Sequence, residues 1–396
     1  MKKPVVLIVC NALDDATRTE RGIGSDSPAA SRKVFMLCQA LRTAGARPYV
    51  LSLGRGSTNG TLKYYGRKAK RVNGISVIYS SFSHVRFFSQ VLSLFSLIGM
   101  LFRLSKSPSR SIVFYNRMSA YLPLLFTSVF TGYRRFLDLE DGENFNAKQA
   151  VIKVRWNRFL VWVYDRYCSN GALLACSALA SRTAIRPIHC YYGSVSTPKV
   201  KYYNSWLEPE RHILMGGTLS ADTGVNLLID TVRMLRRSEE LWVKKLSFQV
   251  TGKGEGLDAL KQLALEDGFP KVTVHGRTTN LEYIEILERC CAGLALKPIG
   301  GEMADTTFPS KVIEFAEAGL LVISTDISDV RKVLGEGALY LGSNDPKELA
   351  DILKLVVDDT DLGRSCAEKG SLIVLERCSP LSAGQAVLDF ITGEIS

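Results

Sequence analysis

The strongest constraint in this sequence is a rhythm. Short, continuously apolar runs alternate with segments of helical period, and the rhythm occurs twice. In the first half, runs at Val5–Val9, Pro48–Leu53, Gly74–Ile78, Ser111–Tyr115, Arg134–Leu139, Leu173–Cys176 and Ile188–Tyr191 predict strands. Helical patterns at Ala29–Ala44, Phe87–Leu104, Met118–Phe130 and Lys148–Tyr167 separate several of them. Strands apolar on both faces, joined through helices, imply a parallel sheet covered on both sides. A polar stretch marked by Pro198, Tyr202, Tyr203, Asn204 and Pro209 interrupts the pattern, which restarts at His212–Met215 and runs to Leu321–Ser324. The reading is α/β, two doubly wound Rossmann-like domains. Residues 1–205 form the first and 206–378 the second, with a C-terminal helix in 379–396 packing back on the first. Ligands of such sheets sit outside the carboxyl ends of the strands, and a cleft between the two domains is the expected site.

Length and composition fit this reading. The 396 residues suit two domains, and 46% apolar with 22% charged residues is a globular balance. The net charge of +11 suits an anionic partner without choosing among nucleotide phosphates, nucleic acid and an acidic membrane. The basic residues are scattered, with no aromatic-interleaved basic strip, which argues against nucleic acid. The nine cysteines form no C-x-x-C pair and there are only four histidines, so no metal site is expected and the thiols read as buried and reduced, in a cytoplasmic protein. Val5–Val9 is too short for a signal-peptide core. Phe87–Leu104 is broken by Ser89, Gln90, Ser93 and Ser96 and reads as a core or interfacial helix, not a span.

The chemistry concentrates in Asp305–Gly319. Pro309 suits the first position of a helix, Thr306 or Thr307 its cap, and Gly319 its stop. Lys311 would lie in the first turn, where a cation opposes the helix dipole unless an anionic ligand is present. Glu314, one turn deeper, would accept ribose hydroxyls; spacing alone fits equally an amphipathic helix with a solvated glutamate.

Phe308-Pro309-Ser310-Lys311, Glu314, Gly319 and the following Val322-Ile323-Ser324-Thr325-Asp326 resemble the signature of the GT-B retaining glycosyltransferases of family 4, in the variant common among bacterial polysaccharide enzymes. The resemblance implies a GT-B fold, a nucleotide diphosphate sugar as donor, and a first domain that takes the acceptor. It also shows departures. Thr306 stands where most members have a glutamate that reaches the transferred sugar, with backbone amides near Thr307 and Phe308 as partial substitutes. Gly216-Gly217-Thr218 and Thr223-Gly224 resemble the loop that clamps the diphosphate, but Thr218 and Thr223 replace its Arg and Lys. Lys253 in Gly252-Lys253-Gly254, Lys297 at a strand end and Lys311 are the candidates for the missing charge. The resemblance places Arg277, in Gly276-Arg277-Thr278, near the base.

In the first half, Glu140 and Asp141 follow a strand where family members often have a histidine, and are candidates to orient the sugar or the acceptor hydroxyl or to act as a base. The long segment Asn11–Pro28, with Gly22 and Gly24, resembles the acceptor loop. The implied reaction is sugar transfer with retention, without a protein nucleophile; no D-x-D-type motif stands out, so neither metal nor cofactor is expected. A carbohydrate or lipid-linked acceptor and peripheral contact at the inner membrane face suit Arg155-Trp156-Asn157-Arg158-Phe159. Two other readings share the fold: a non-catalytic partner subunit, and a nucleotide-sugar epimerase or hydrolase.

Overall fold

The computed structural model describes residues 3–58, 63–83, 95, 97–104, 109–140, 151–195, 203–301 and 304–393. The chain forms two compact units, Met1–Ser194 with Ser379–Ser396, and Val195–Cys378.

The first unit is built on β1 (Val5–Cys10), α1 (Asp15–Glu20), β2 (Ile23–Ser25), α2 (Pro28–Thr43), β3 (Arg47–Ser52), β4 (Ser57–Thr58), β5 (Tyr64–Tyr65), β6 (Lys68–Val72), β7 (Ile75–Tyr79), β8 (Phe82–Ser83), α3 (97–104), β9 (Arg110–Tyr115), α4 (Leu122–Phe130), β10 (Arg134–Leu139), α5 (Val151–Tyr167), β11 (Gly171–Leu174) and β12 (Ile188–Cys190). Its main sheet runs β12-β11-β10-β9-β1-β3-β7-β6, parallel except for β6. Every residue of β1 is buried, as a central strand covered on both faces requires. In α2, Ser27 caps the helix by accepting from the Ala30 N–H, Pro28 fills the first turn, and Val34, Leu37, Cys38 and Leu41 make the buried stripe.

Three expectations change here. The sheet is not wholly parallel, because the charged Lys68–Val72 segment pairs antiparallel with β7 as an edge strand. The segment Asn11–Pro28 is not an irregular loop: it holds α1 and β2, and β2 pairs with β4. Met118–Phe130 divides into a 3-10 turn at Ser119–Tyr121 and α4. Asp141 and much of Phe87–Leu104 lie outside the described residues. No helix among the described residues is long and apolar enough to cross a membrane.

The second unit contains β13 (Arg211–Thr218), α6 (Val225–Leu235), β14 (Leu246–Lys253), α7 (Leu257–Leu265), β15 (Lys271–Gly276), α8 (Asn280–Arg289), β16 (Ala292–Ala295), α9 (Lys311–Glu317), β17 (Leu321–Thr325), α10 (Val330–Leu334), β18 (Ala338–Leu341), α11 (Pro346–Asp358) and α12 (Thr360–Cys378). Its sheet is parallel throughout, in the order β15-β14-β13-β16-β17-β18. The chain leaves β13 in one direction and resumes at β16 on the other side, so β13 and β16 flank the switch point where α/β sheets open a crevice. Ile213, Phe248, Leu294 and Ile323 anchor its core. The last helix, α13 (Pro380–Thr392), belongs to the first unit. It lies so close on α2 that a Cβ at Gly384 would sit 2.1 Å from the Ala40 carbonyl oxygen. The nine cysteines form no disulfide, and seven of them are buried.

Candidate functional site

At the switch point of the second unit, packing decides where α9 lies. Gly293 in β16 has no side chain, and a Cβ there would fall 2.4 Å from the Phe315 ring. Phe315 therefore seats directly on the strand, while Val312, Ile313 and Ala316 are buried beside it. The opposite side of the short helix carries Lys311 and Glu314 outward, both half-buried.

Lys311 Nζ donates to Glu314 Oε2 at 2.9 Å and to the Tyr283 hydroxyl at 3.1 Å. It also lies 4.9 Å from the centre of the Tyr283 ring. Its stem passes over Gly217, whose φ is +114° and where a Cβ would meet Lys311 Cε at 3.3 Å. Tyr283 comes from α8, which a capping box starts: Glu282 Oε2 accepts from the Thr279 N–H at 2.7 Å, and Thr279 Oγ1 accepts from the Glu282 N–H at 3.3 Å. Lysine, glutamate, phenol and an open glycine backbone thus converge at the carboxyl end of β13. Sequence reading missed Tyr283. It lies in a helix with no motif of its own, and its proximity to Gly216 and Lys311 singles it out.

The other lysines occupy the same sheet edge. Lys253 ends β14, in register with Thr218 at the end of β13, and both are exposed. This edge is tight: a Cβ at Gly252 would fall 1.8 Å from the Gly217 carbonyl oxygen, so only glycine fits there. Lys297 follows β16; its N–H donates to Thr325 Oγ1 at 3.0 Å and its Nζ to Thr307 Oγ1. Arg277 is exposed beyond β15.

The structure changes the local reading of the Asp305–Gly319 segment. The helix starts at Lys311, so Pro309 precedes it, and Ser310 occupies the capping position without a side-chain bond. Neither threonine caps it. Thr307 takes the Lys297 ammonium, and the buried Thr306 hydroxyl has no hydrogen-bond partner among the described residues. Phe308 is half-buried and Pro309 buried. Lys311 is ion-paired rather than solitary. Thr223 is engaged inside its own turn, donating to the Thr218 carbonyl at 2.7 Å and accepting from the Ser220 N–H at 3.0 Å.

In the first unit, a second charged group forms at the carboxyl ends of the strands. Lys33 of α2 donates to Asp138 Oδ1 at 3.1 Å and also to Glu140 Oε2. The Glu140 N–H donates to Asn116 Oδ1 at 2.8 Å, which fixes the backbone where β10 ends. Asp138 is 1% exposed and its Oδ2 has no partner among the described residues. Burial pushes the Asp138 carboxyl up, Glu140 adds to this, and Lys33 opposes it. Burial works to lower the Lys33 ammonium, but Asp138 and Glu140 outweigh it and raise it. Gly22, with φ +60°, turns the chain from α1 into β2, and Gly24 lies within β2; both are exposed.

Comparison with known proteins bears on both units. Residues 210–359 match the family model of the glycosyl transferases group 1. The match lies within the C-terminal unit. The matched span contains Gly217, Lys253, Tyr283, Lys297, Lys311 and Glu314. No curated protein matches the chain by sequence. Among solved structures, Anabaena HepE in complex with UDP and glucose superposes with a TM-score of 0.64 at 12% identity, covering 98% of this chain and 99% of that one. The UDP-forming α,α-trehalose-phosphate synthase of Burkholderia vietnamiensis gives 0.66 at 11% identity, covering 100% and 99%. The sucrose-phosphate synthase of Thermosynechococcus elongatus gives 0.62 at 12%, covering 99% and 97%. The architecture these chains share is the GT-B fold, two Rossmann-like domains.

Proposed function

We propose that this GT-B chain transfers a sugar from a nucleotide diphosphate sugar to an acceptor hydroxyl with retention at the anomeric carbon, in polysaccharide or glycolipid synthesis on the cytoplasmic side of a membrane. The observation that carries the proposal is the Lys311–Glu314–Tyr283 cluster by Gly217, at the switch point of the second sheet, inside the span that matches the glycosyl transferases group 1 model. In this reading Glu314 exchanges its bond from Lys311 for a ribose hydroxyl pair. Lys311, freed in that exchange, is a donor for the diphosphate, with Lys253 and Lys297 on the same edge. As the anomeric C–O bond breaks, negative charge grows on the departing diphosphate, and cations held in place beforehand stabilise it. The acceptor oxygen bonds to the anomeric carbon on the face the diphosphate leaves, and the hydroxyl proton passes to the departing phosphate oxygen. No protein nucleophile, metal or cofactor takes part in this scheme. Glu140 is assigned to orienting the acceptor hydroxyl.

A second reading has an observation in its favour. Threonines stand at both clamp positions, and the Thr223 hydroxyl is spent inside its turn, as expected of a GT-B partner subunit that has lost catalysis. Incubating the purified chain with UDP-glucose and other nucleotide sugars separates the two. Release of the nucleoside diphosphate above the blank, abolished in Lys311→Met, supports the transferase. Donor binding without any release supports the partner subunit.

A further inference from the structure

The first unit carries a surface that the sugar chemistry leaves unused. Of the eight exposed Phe and Trp side chains among the described residues, seven lie between residues 95 and 162. They belong to α3, α4 and α5 and the segment leading into α3. In the sheet, the steps β7 to β9, β9 to β10 and β10 to β11 all run in one direction, whereas β1 to β3 runs in the other. Right-handed crossovers therefore set α3, α4 and α5 on the face opposite α2. Contacts tie them together: the Tyr133 hydroxyl donates to the Leu101 carbonyl, and Phe126 meets Tyr167 edge-on at 5.2 Å.

On α5, Leu160, Val163 and Tyr164 turn inward. The outward side interleaves aromatic and basic residues. Trp156, Phe159 and Trp162 form a continuous row, with ring centres 5.3 and 6.2 Å apart. Arg155, Arg158 and Arg166 stand exposed among them. Phe130 on α4 is 88% exposed, and Arg103 is exposed on α3 beside the exposed Phe102. The only acidic residue on these helices among the described residues is Asp165. It is turned away, accepting from Arg117 at 3.0 Å and from the Thr183 hydroxyl at 2.8 Å.

We propose that this face docks the protein on an anionic lipid bilayer, with the α5 aromatics entering the interface and the arginines meeting headgroup phosphates. It deepens the lipid-side part of the function proposed above. The mixture of residues selects this occupant. Trp and Phe with arginine suit the interfacial layer, where apolar rings sink and cations stay at the headgroups. A second copy of the chain is disfavoured, because a two-fold interface presents the same patch from both sides and would set arginines against arginines with no acid between them.

The test is sedimentation of the full chain with phosphatidylcholine vesicles, with and without about a quarter phosphatidylglycerol, alongside UDP binding by thermal shift on the same samples. The expected result is binding to the anionic vesicles alone, weakened by salt. Arg155→Gln/Arg158→Gln and Trp156→Ser/Trp162→Ser should each reduce partitioning by at least about tenfold and leave the UDP shift unchanged, while Arg155→Lys/Arg158→Lys keeps the partitioning. Absent binding, equal binding of wild type and variants, or a dimer in sedimentation velocity that the Trp variant dissolves would overturn the proposal. Loss of vesicle binding with an intact UDP shift sinks only this surface; vesicle binding without a UDP shift sinks the transferase reading and leaves the surface standing.

Discussion

Lys311 is bound to a carboxylate and to a phenol, and this sets what a ligand must do. An incoming diphosphate offers two or more charges where Glu314 offers one, so the lysine can change partners without being left unpaired. In the proposed function Glu314 gains the ribose hydroxyls in return. Lys33 is different. It joins a carboxylate at 1% exposure to one that is 31% exposed, and no ligand is needed to explain it. Removing the ammonium leaves Asp138 buried beside Glu140 with no cation. Its carboxyl is already raised by burial, and without Lys33 it rises further. A carboxyl raised on folding contributes stability below its unfolded value and loses it as pH climbs through the folded value. Lys33→Met should therefore melt well below wild type at pH 7, with the gap narrowing as pH falls towards 5. A gap independent of pH would show that the lysine acts only by packing.

At the scale of elements, α1 illustrates how a segment read as a loop becomes structure. Asp14 caps it, accepting from the Thr17 N–H at 3.1 Å, and also takes Lys70 at 2.6 Å from β6 and the Tyr79 hydroxyl at 2.5 Å from β7. Burial works to raise this carboxyl, but the bonds from Lys70, Tyr79 and Thr17 outweigh it and hold it well below the usual carboxylate range. The stability it contributes is present above about pH 4, the ordinary value, and is lost as pH falls towards the depressed one. Asp14→Asn should flatten the acid side of the unfolding profile below about pH 4, and circular dichroism at stepped pH measures it; an unchanged profile would contradict the role. The same contacts explain what the sequence could not show. The partners of α1 are dozens of residues away, and Lys68–Val72, with three basic residues in five, shows no apolar run to mark it as a strand; β7 provides the edge it pairs with. Central strands such as β1 and β13 were legible because burial on both faces leaves a continuous apolar run.

For the molecule as a whole, the alternating pattern sufficed to indicate two doubly wound α/β domains, while the GT-B expectation came from the resemblance carried by the Phe308–Glu314 segment, which also pointed to one end of the second sheet. Two features stayed hidden. Tyr283 has no local signature, and the helix expected to open at Pro309 begins at Lys311 because Thr307 serves Lys297 rather than a helix terminus. Both depend on three-dimensional neighbours, Gly216 and Lys297, that spacing along the chain does not encode. The central claim is that Lys311 and Glu314 hold a nucleotide diphosphate at the switch point of the C-terminal domain. Isothermal titration of UDP into wild type, Lys311→Met and Glu314→Gln tests it most directly. Saturable binding by wild type, weakened roughly 10- to 100-fold in each variant by loss of a charge-assisted bond, is the predicted result. No heat at millimolar UDP, or equal affinity in all three proteins, would contradict it.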